Sequence, residues 1–233
     1  MQGGHILRDF DQAITHLRCE VLSMAAKARH NLEGGIQALL TRNEELANAV
    51  IAEDDEVDDY ERSIDQLGMD ILVRFHPMAT DLRLVISSMK IAMNLERISD
   101  HATNIAKRAK KISRGPVMAD AVLIEPIYAL ADQLLRDAIS AYSDSNAELG
   151  GSLHGRDKEL DRLHHAVTTT YSQRMEQGNG RSESYLHLVL TVRSLERVGD
   201  LASNIGEDAV FVQMAKDLRH LSSGQRNEIS SEK

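Results

Sequence analysis

The sequence predicts an all-α protein built from two tandem, pseudo-symmetric three-helix bundles. Apolar residues recur at the spacing of an α-helix along most of the chain. The 233 residues include no Trp, three Phe and only three Pro, a composition that fits poorly with a β-sandwich or a barrel. A segment near the end of the first half also returns near the end of the second half, so the same unit is expected twice.

Helix-breaking residues mark the ends of six predicted helices. These helices span residues 6–42, 44–75, 79–112, 119–148, 156–176 and 182–218. Pro77 ends the second helix, Gly115-Pro116 separates the two halves, and loops are expected at Gly150 to Gly155 and at Gly178 to Gly180. The predicted domains are therefore a first repeat at 1–115, a second repeat at 116–221, and a polar, flexible tail at 222–233.

The internal repeat is strongest near the end of each half. Residues 95–109 read LERISDHATNIAKRA and residues 195–209 read LERVGDLASNIGEDA, with eight of the fifteen positions identical. Upstream, the segment 54–58 corresponds to 157–161 at an offset of 103 residues. Because the connections between helices are short, neighbouring helices are expected to be antiparallel.

Acidic side chains lie at the edge of an apolar seam in the second and third predicted helices. In the second helix they share one face within roughly 60°, at Asp54, Asp58, Glu61 and Asp65. An apolar stripe runs beside them through Val57, Tyr60, Ile64, Leu67 and Ile71. In the third helix an apolar stripe of Leu82, Ile86, Met89 and Met93 continues into Glu96 and Asp100. Carboxylates therefore occupy positions that are expected to be apolar.

The two acidic faces are expected to meet when each hairpin folds. The mean position of Asp58 and Glu96 is 77, as is that of Asp54 and Asp100, and residue 77 is the turn proline. Residues equidistant from a turn lie level in an antiparallel pair, because each residue rises about 1.5 Å along its helix. In the second half, the mean position of Asp161 and Glu196 is 178.5, and so is that of Asp157 and Asp200. The four acids of that half are therefore expected to meet in the same way.

Four carboxylates at one level require a compensating charge. Two carboxylates about 6 Å apart repel by about 3 kcal/mol at an effective dielectric of about 20, so protons, Arg or Lys, or a metal ion must be close. Oxygen ligands suit Mg, Mn or Fe, and bridging carboxylates allow a multinuclear cluster. In the second half His164 and Thr168 replace Glu61 and Asp65, and an imidazole there favours Fe, Zn, Mn or Ni.

Composition and missing motifs exclude several functional classes. A net charge of −9 and a pI near 5.6 argue against nucleic-acid binding. No apolar stretch reaches the ~18–20 residues of a membrane span. The single Cys19 excludes an internal disulfide and indicates a reducing, cytoplasmic location. No P-loop, dinucleotide-binding glycine motif or nucleophile elbow is present, so an enzyme is the weaker interpretation.

Two alternatives to a metal-binding signalling module remain open from the residues alone. One is a carboxylate-metal hydrolase or oxidase on a helical bundle. The other is a metal-free helical scaffold in which cations such as Arg97 and Arg197 neutralise the acids.

The same residues resemble the PhoU family of phosphate-uptake regulators. The similarity lies in Leu95 to Ile105, its repeat at 195–205, and the segments 76–83 and 50–58, within a resemblance that covers about residues 6–218. The resemblance implies two three-helix bundles with metal-binding pairs of acids. The implied ligands are Asp54, Asp58, Glu96 and Asp100 in the first half and Asp157, Asp161, Glu196 and Asp200 in the second. Glu61, Asp65 and His164 are further candidates.

The resemblance also implies a function. A PhoU family member is expected to be cytoplasmic and not an enzyme, and to regulate phosphate uptake and the phosphate-starvation (Pho regulon) response negatively. The implied partners are the ATPase subunit of the phosphate ABC transporter and a phosphate-sensing histidine kinase. The protein would associate with the membrane only through these partners. The expected cofactors are Fe, Mn, Mg or Zn ions, and a homodimer is expected. Leu201 stands where the first half has His101, and His164 and Thr168 stand where it has Glu61 and Asp65. Because of these departures, equal metal occupancy of the two sites is not expected.

Overall fold

The computed structural model describes residues 3–177 and 181–216, with side chains from residue 8 onward. All the regular structure in these ranges is helical. The elements are α1 (Gly3–Thr41), α2 (Glu44–Ala52), α3 (Asp54–Phe75), α4 (Ala79–Ser113), a 3-10 helix (Ala119–Ile124), α5 (Glu125–Ser143), α6 (Ala147–Glu176) and α7 (Ser182–Met214). None of these helices is both long and apolar enough to cross a membrane.

Each half forms a three-helix bundle, which confirms the predicted fold class. In the first half α1, α3 and α4 pack together, and the short α2 lies against α1 and α4. In the second half α5, α6 and α7 pack together. The buried apolar side chains of both halves form one continuous hydrophobic core, so the two bundles stabilise each other.

The two bundles meet chiefly along α4 and α7, the last helix of each half. Polar contacts add to this interface. Arg29 on α1 donates from Nε to Oδ1 of the buried Asp132 on α5 at 2.6 Å, and the hydroxyls of Ser88 and Tyr142 lie 2.7 Å apart. Buried polar groups that are paired in this way favour one relative placement of the two halves.

The break before the second helix of each half is repeated in sequence and in geometry. Arg42 and Ser145, which are 103 positions apart, have φ angles of 57° and 55°. Each is followed by an asparagine, Asn43 or Asn146, whose Oδ1 accepts from the backbone N–H three residues further on at 3.0 Å. Asparagine is a favoured N-cap because its side-chain oxygen satisfies an amide that has no partner within the helix.

The predicted loop from Gly150 to Gly155 is wrong, because these residues lie inside α6. The break occurs before Asn146, so one helix runs from 147 to 176. The glycine permits close packing: a Cβ on Gly150 would lie 2.6 Å from the carbonyl oxygen of Gly206 on α7. The backbones of α6 and α7 therefore approach each other directly at this point.

The helix predicted over residues 44–75 is interrupted at Glu53, which is also a correction. The run of acids after Glu53 occupies the first turn of α3, where the helix dipole favours negative charge. The predicted turn at Pro77 is confirmed, with His76 in the left-handed conformation at the end of α3. The predicted turn at 178–180 and the tail at 222–233 lie outside the described residues.

The apolar stripe predicted for α3 is confirmed, whereas that of α4 is displaced. Val57 and Ile64 are fully buried. On α4, however, Leu82 is 36% exposed and Met93 is 48% exposed. The buried face of α4 is formed instead by residues such as Leu84, Ile91, Leu95 and Ile98. The acids that follow Met93 along its stripe therefore continue the rim of the seam and do not replace core residues.

Candidate metal-binding sites

The acids predicted on α3 and α4 lie close enough to interact electrostatically. The pKa of Glu96 is raised to about 7, first by burial and then by the negative charges of Asp100, Glu61, Asp58 and Asp54. The pKa of Asp100 is likewise raised by burial and then by Asp54 and Asp58. A carboxyl among anions keeps its proton to a higher pH. We call these five residues the first acidic cluster.

Asp65 lies at the outer edge of this cluster. It is exposed, and its charge adds to burial in raising the pKa of Glu61, as does that of Asp58. Arg62 acts on Glu61 in the opposite direction, but its hydrogen bond is to Asp59 on the solvent side of α3. Arg62, which directly follows Glu61 in the sequence, therefore pairs with an acid outside the cluster.

A buried polar relay holds the first cluster in place across three helices. The amide Nδ2 of Asn31 on α1 donates to Ser99 Oγ at 3.2 Å. Ser99 Oγ in turn donates to Oδ1 of Asp54 at 3.2 Å. Asn31 is fully buried and Ser99 is 1% exposed, so the relay is shielded from water. It orients one carboxylate of α3 towards α4.

The corresponding acids on α6 and α7 also come together, and we call them the second acidic cluster. The pKa of Asp157 is raised to about 7 by burial and then by Asp200, Asp161 and Glu196. Burial and Asp200 also raise the pKa of Glu196, whereas Arg197 and then His164 act to lower it. His164 is therefore close to the cluster, as its position on α6 predicted.

The two clusters differ in how their charge is compensated. Arg197 lies 2.8 Å from Asp200 through Nη1 and 3.6 Å from Glu196 through Nε. Arg97, at the equivalent position of the first half, lines a cavity between α4 and α7 together with Arg197, and no ion pair among the described residues joins it to Glu96 or Asp100. The second cluster therefore carries an internal cation.

Glycine also brings the helices of the second cluster into close contact. Gly199 occupies the position that Ser99 has in the first half. A Cβ on Gly199 would lie 3.1 Å from Oδ1 of Asp157 and would overlap the side chain of Leu160. Asp157 therefore rests against the backbone of α7, whereas Asp54 accepts a hydroxyl hydrogen bond at the matching place.

The oxygen atoms of the two clusters are suitable ligands for a metal ion, but the side chains are not positioned to coordinate one together. Carboxylate oxygens are the ligands that hard cations prefer. However, within residues 3–177 and 181–216 no three His, Cys, Asp or Glu side chains stand where they could hold one ion together. Ligation at the first cluster requires rotation of side chains, and ligation at the second also requires release of Arg197. Metal binding by the eight acids, and by Glu61, Asp65 and His164, thus stays a prediction.

Sequence reasoning missed two residues that shape these sites, Asn31 and Ser99. It did name Arg197 as a cation that could neutralise the acids, and Arg197 does pair with Glu196 and Asp200. The repeat contained a signal for Ser99, because it precedes an acid of the cluster and is replaced by glycine in the second half. His101 faces elsewhere, as expected for a structural histidine. Its pKa is lowered to about 4 by burial and then by three arginines, of which Arg97 acts most strongly.

A three-helix unit that occurs twice, each copy with an acidic cluster across its last hairpin, defines a class of helical two-repeat proteins. The family model described as PhoU domain matches residues 21–109 and 124–209, once in each half. The chain therefore belongs to the PhoU family.

Known members of the family resemble the chain over nearly its whole length. A phosphate-specific transport system accessory protein PhoU homolog from Zymomonas mobilis is 30% identical over 95% of this chain and 94% of its own. A homolog of the same name from Pseudomonas putida is 32% identical over 93% of this chain and 85% of its own. The crystal structure of PhoU from Pseudomonas aeruginosa superimposes with a TM-score of 0.84 and 30% identity, covering 89% of this chain and all of that one.

Proposed function

We propose that this chain regulates phosphate transport and binds metal ions through its two acidic clusters. Relatives that match both halves are named as accessory proteins of a phosphate-specific transport system, which supports the same role here. The observation that carries the metal-binding part is the presence, in each half, of a carboxyl with a pKa raised to about 7, Glu96 and Asp157. Crowded acids are relieved either by protons or by a cation.

The proposed ligands are the eight acids at matching positions of the two hairpins. The first site would use Asp54, Asp58, Glu96 and Asp100, with Glu61 and Asp65 at its edge. The second would use Asp157, Asp161, Glu196 and Asp200, with His164 beside them. A bound Fe, Mn, Mg or Zn ion would supply the positive charge that these acids lack. The chain itself contributes the fixed spacing of two packed helices, which limits how far the opposed oxygens can separate.

The regulation is proposed to be negative and to act through protein contacts. The partners are the ATPase subunit of the phosphate ABC transporter and a phosphate-sensing histidine kinase, and a cytoplasmic location follows from them. A homodimer is part of the same proposal. A rigid helical surface suits such a role, because binding to partners then requires little ordering.

Metal binding is tested by reversing charge at the first cluster. The variant that combines D58K with E96K should contain less metal than the wild type after purification without chelator, as measured by elemental analysis. The matched control combines D70K with E159K, two exposed acids outside the clusters, and makes the same change in net charge. Equal metal content in the two variants would count against the assignment, provided that both retain a helical circular dichroism spectrum.

The partner contacts are tested by a pull-down with the purified ATPase subunit and the kinase at high and at low phosphate. Association with either partner, and a change in it between the two conditions, is the expected result. Absence of association with both partners at both phosphate levels would remove the adaptor role.

The alternative of a carboxylate-metal hydrolase or oxidase is tested separately, by screening for turnover with Mn or Fe supplied. We propose the regulator because the relatives are named as accessory proteins. Turnover that is lost in the D58K and E96K double variant and kept in its control would favour the enzyme instead.

A further inference from the structure

A cavity of about 370 Å³ lies between α4 and α7 and is lined by basic residues. Four arginines line it: Arg97 and Arg108 from α4, and Arg193 and Arg197 from α7. None of the lining residues, all of which belong to the described part of the chain, is acidic. We call it the basic cavity. A concentration of four cations in a chain with a net charge of −9 is unexpected from composition alone.

Arg108 is partly buried in the wall of the basic cavity. Burial lowers the pKa of Arg108, because its charge has lost part of its hydration. Its Nη1 donates to Oγ of Ser194 at 3.0 Å, and Ser194 is only 4% exposed. A hydroxyl satisfies a hydrogen bond but supplies no opposite charge, so the positive potential in the cavity persists.

The opposite end of the α4–α7 interface carries different charged residues from those of the basic cavity. The two last helices correspond at an offset of 100, which matches Arg108 with Asp208 and Arg193 with Met93. At that end Lys90 Nζ lies 3.8 Å from Asp208 and 5.6 Å from the centre of the Phe211 ring. The backbone repeats, but the excess of arginine occurs at only one end.

We propose that the basic cavity binds a small phosphoryl oxyanion, with inorganic phosphate and pyrophosphate as the representative ligands. Its volume lies at the lower end of the range for small-molecule sites. The planar guanidinium group, with its fork of donors, suits bidentate binding of phosphate oxygens. The lining residues include no Phe, Tyr or Trp, and their one ring is the imidazole of His101, so a nucleotide base would find no large aromatic surface to stack on.

Three of the four arginines carry this binding. Arg197 is already paired with Asp200, so the oxyanion is held chiefly by Arg97, Arg108 and Arg193. A neighbouring cavity that includes Lys111 also contains the carboxylate of Glu183, which would repel an anion. The proposed ligand therefore lies in the basic cavity and not in its neighbour.

The test measures phosphate and pyrophosphate binding by isothermal titration calorimetry on the full chain, at low ionic strength and with chelator present. The chelator removes any metal from the acidic clusters, so this result is independent of the proposed metal binding. The decisive variant is R193M, which copies the residue at the matching position of the first half and changes an exposed side chain. Loss of one charged donor should weaken binding by about tenfold.

The matched control is R74M, which removes an exposed arginine of α3 outside the cavity and should bind as the wild type does. R108Q provides a second variant if R193M does not fold, because Gln can still donate to Ser194. Equal affinity of R193M and R74M would overturn the proposal. Wild-type protein that binds neither phosphate nor pyrophosphate under these conditions would overturn it as well.

Discussion

Replacing Glu96 with Gln removes one charge from the first acidic cluster and leaves the size of the side chain nearly unchanged. In the folded protein its pKa is about 7 against the usual 4.5, because of burial and four neighbouring carboxylates. Between these pH values the folded state holds a proton that the unfolded state has released. The stability of the metal-free protein should therefore fall as pH rises from 4.5 to about 7. E96Q should lack the part of this fall that Glu96 contributes, while the other carboxyls with raised pKa values, such as Asp157, keep theirs.

The size of the effect follows from the shift of 7 − 4.5 = 2.5 pKa units. At about 1.36 kcal/mol per unit, the upper limit is about 3 kcal/mol in the free energy of unfolding. Solvent screens the charge interactions of a partly buried group, so we expect a smaller effect. At about pH 8 the free energy of unfolding of E96Q should exceed that of the wild type by about 1 kcal/mol. Below pH 4.5 the two proteins should be equally stable, because Glu96 is then neutral in both states.

The assay is urea unfolding followed by far-UV circular dichroism, with chelator present, at pH values on both sides of this interval. The control is E159Q, which removes an exposed carboxylate of α6 and should change stability little at any pH. An E96Q variant that is no more stable than E159Q above pH 7 would refute the crowding of charges at the cluster. Supplying a metal that the cluster binds should then stabilise the wild type more than E96Q.

Two packing predictions concern the contacts that bring the acids together. G150A should destabilise the protein by about 2 kcal/mol or more in urea unfolding, because the new methyl would lie 2.6 Å from the carbonyl of Gly206. G155A in the same helix has open space around it and should stabilise by about 0.5–1 kcal/mol, so equal effects would contradict the close approach. S99A should lower the free energy of unfolding by about 1–3 kcal/mol, because it removes the hydroxyl that donates to Asp54 at 3.2 Å. An unchanged free energy of unfolding in the same assay would argue against the relay.

Helical periodicity and the repeat were sufficient to predict the helical class, the two bundles and the meeting of acids across each hairpin, although not every helix boundary. The turn at Pro77 could be placed because proline cannot continue a helix, and levels along an antiparallel pair follow from the rise per residue. The acids of both clusters were therefore found from spacing alone. These features depend on local geometry, which a sequence expresses directly.

The errors arose where one residue type has several structural uses. Glycine was interpreted as a loop signal at Gly150, yet in the structure it permits two helix backbones to approach within a helix interior. On α4 a regular apolar stripe that includes Met93 proved to be the rim of the seam. Neither distinction can be made without knowing which partner helix lies opposite.

Charge compensation was decided by the tertiary structure alone. Arg97 and Arg197 both follow the same Leu-Glu pair, and the sequence treats them as equivalents. In the fold Arg197 pairs with Asp200, whereas Arg97 lines a cavity at the interface of the two halves beside Arg108 of the same helix. A side chain with several rotatable bonds selects its partner by what the neighbouring helix presents, and spacing along one helix carries no information about that neighbour. The sequence by itself therefore determined where the acids gather, and the packing of α4 against α7 decided which cations reach them.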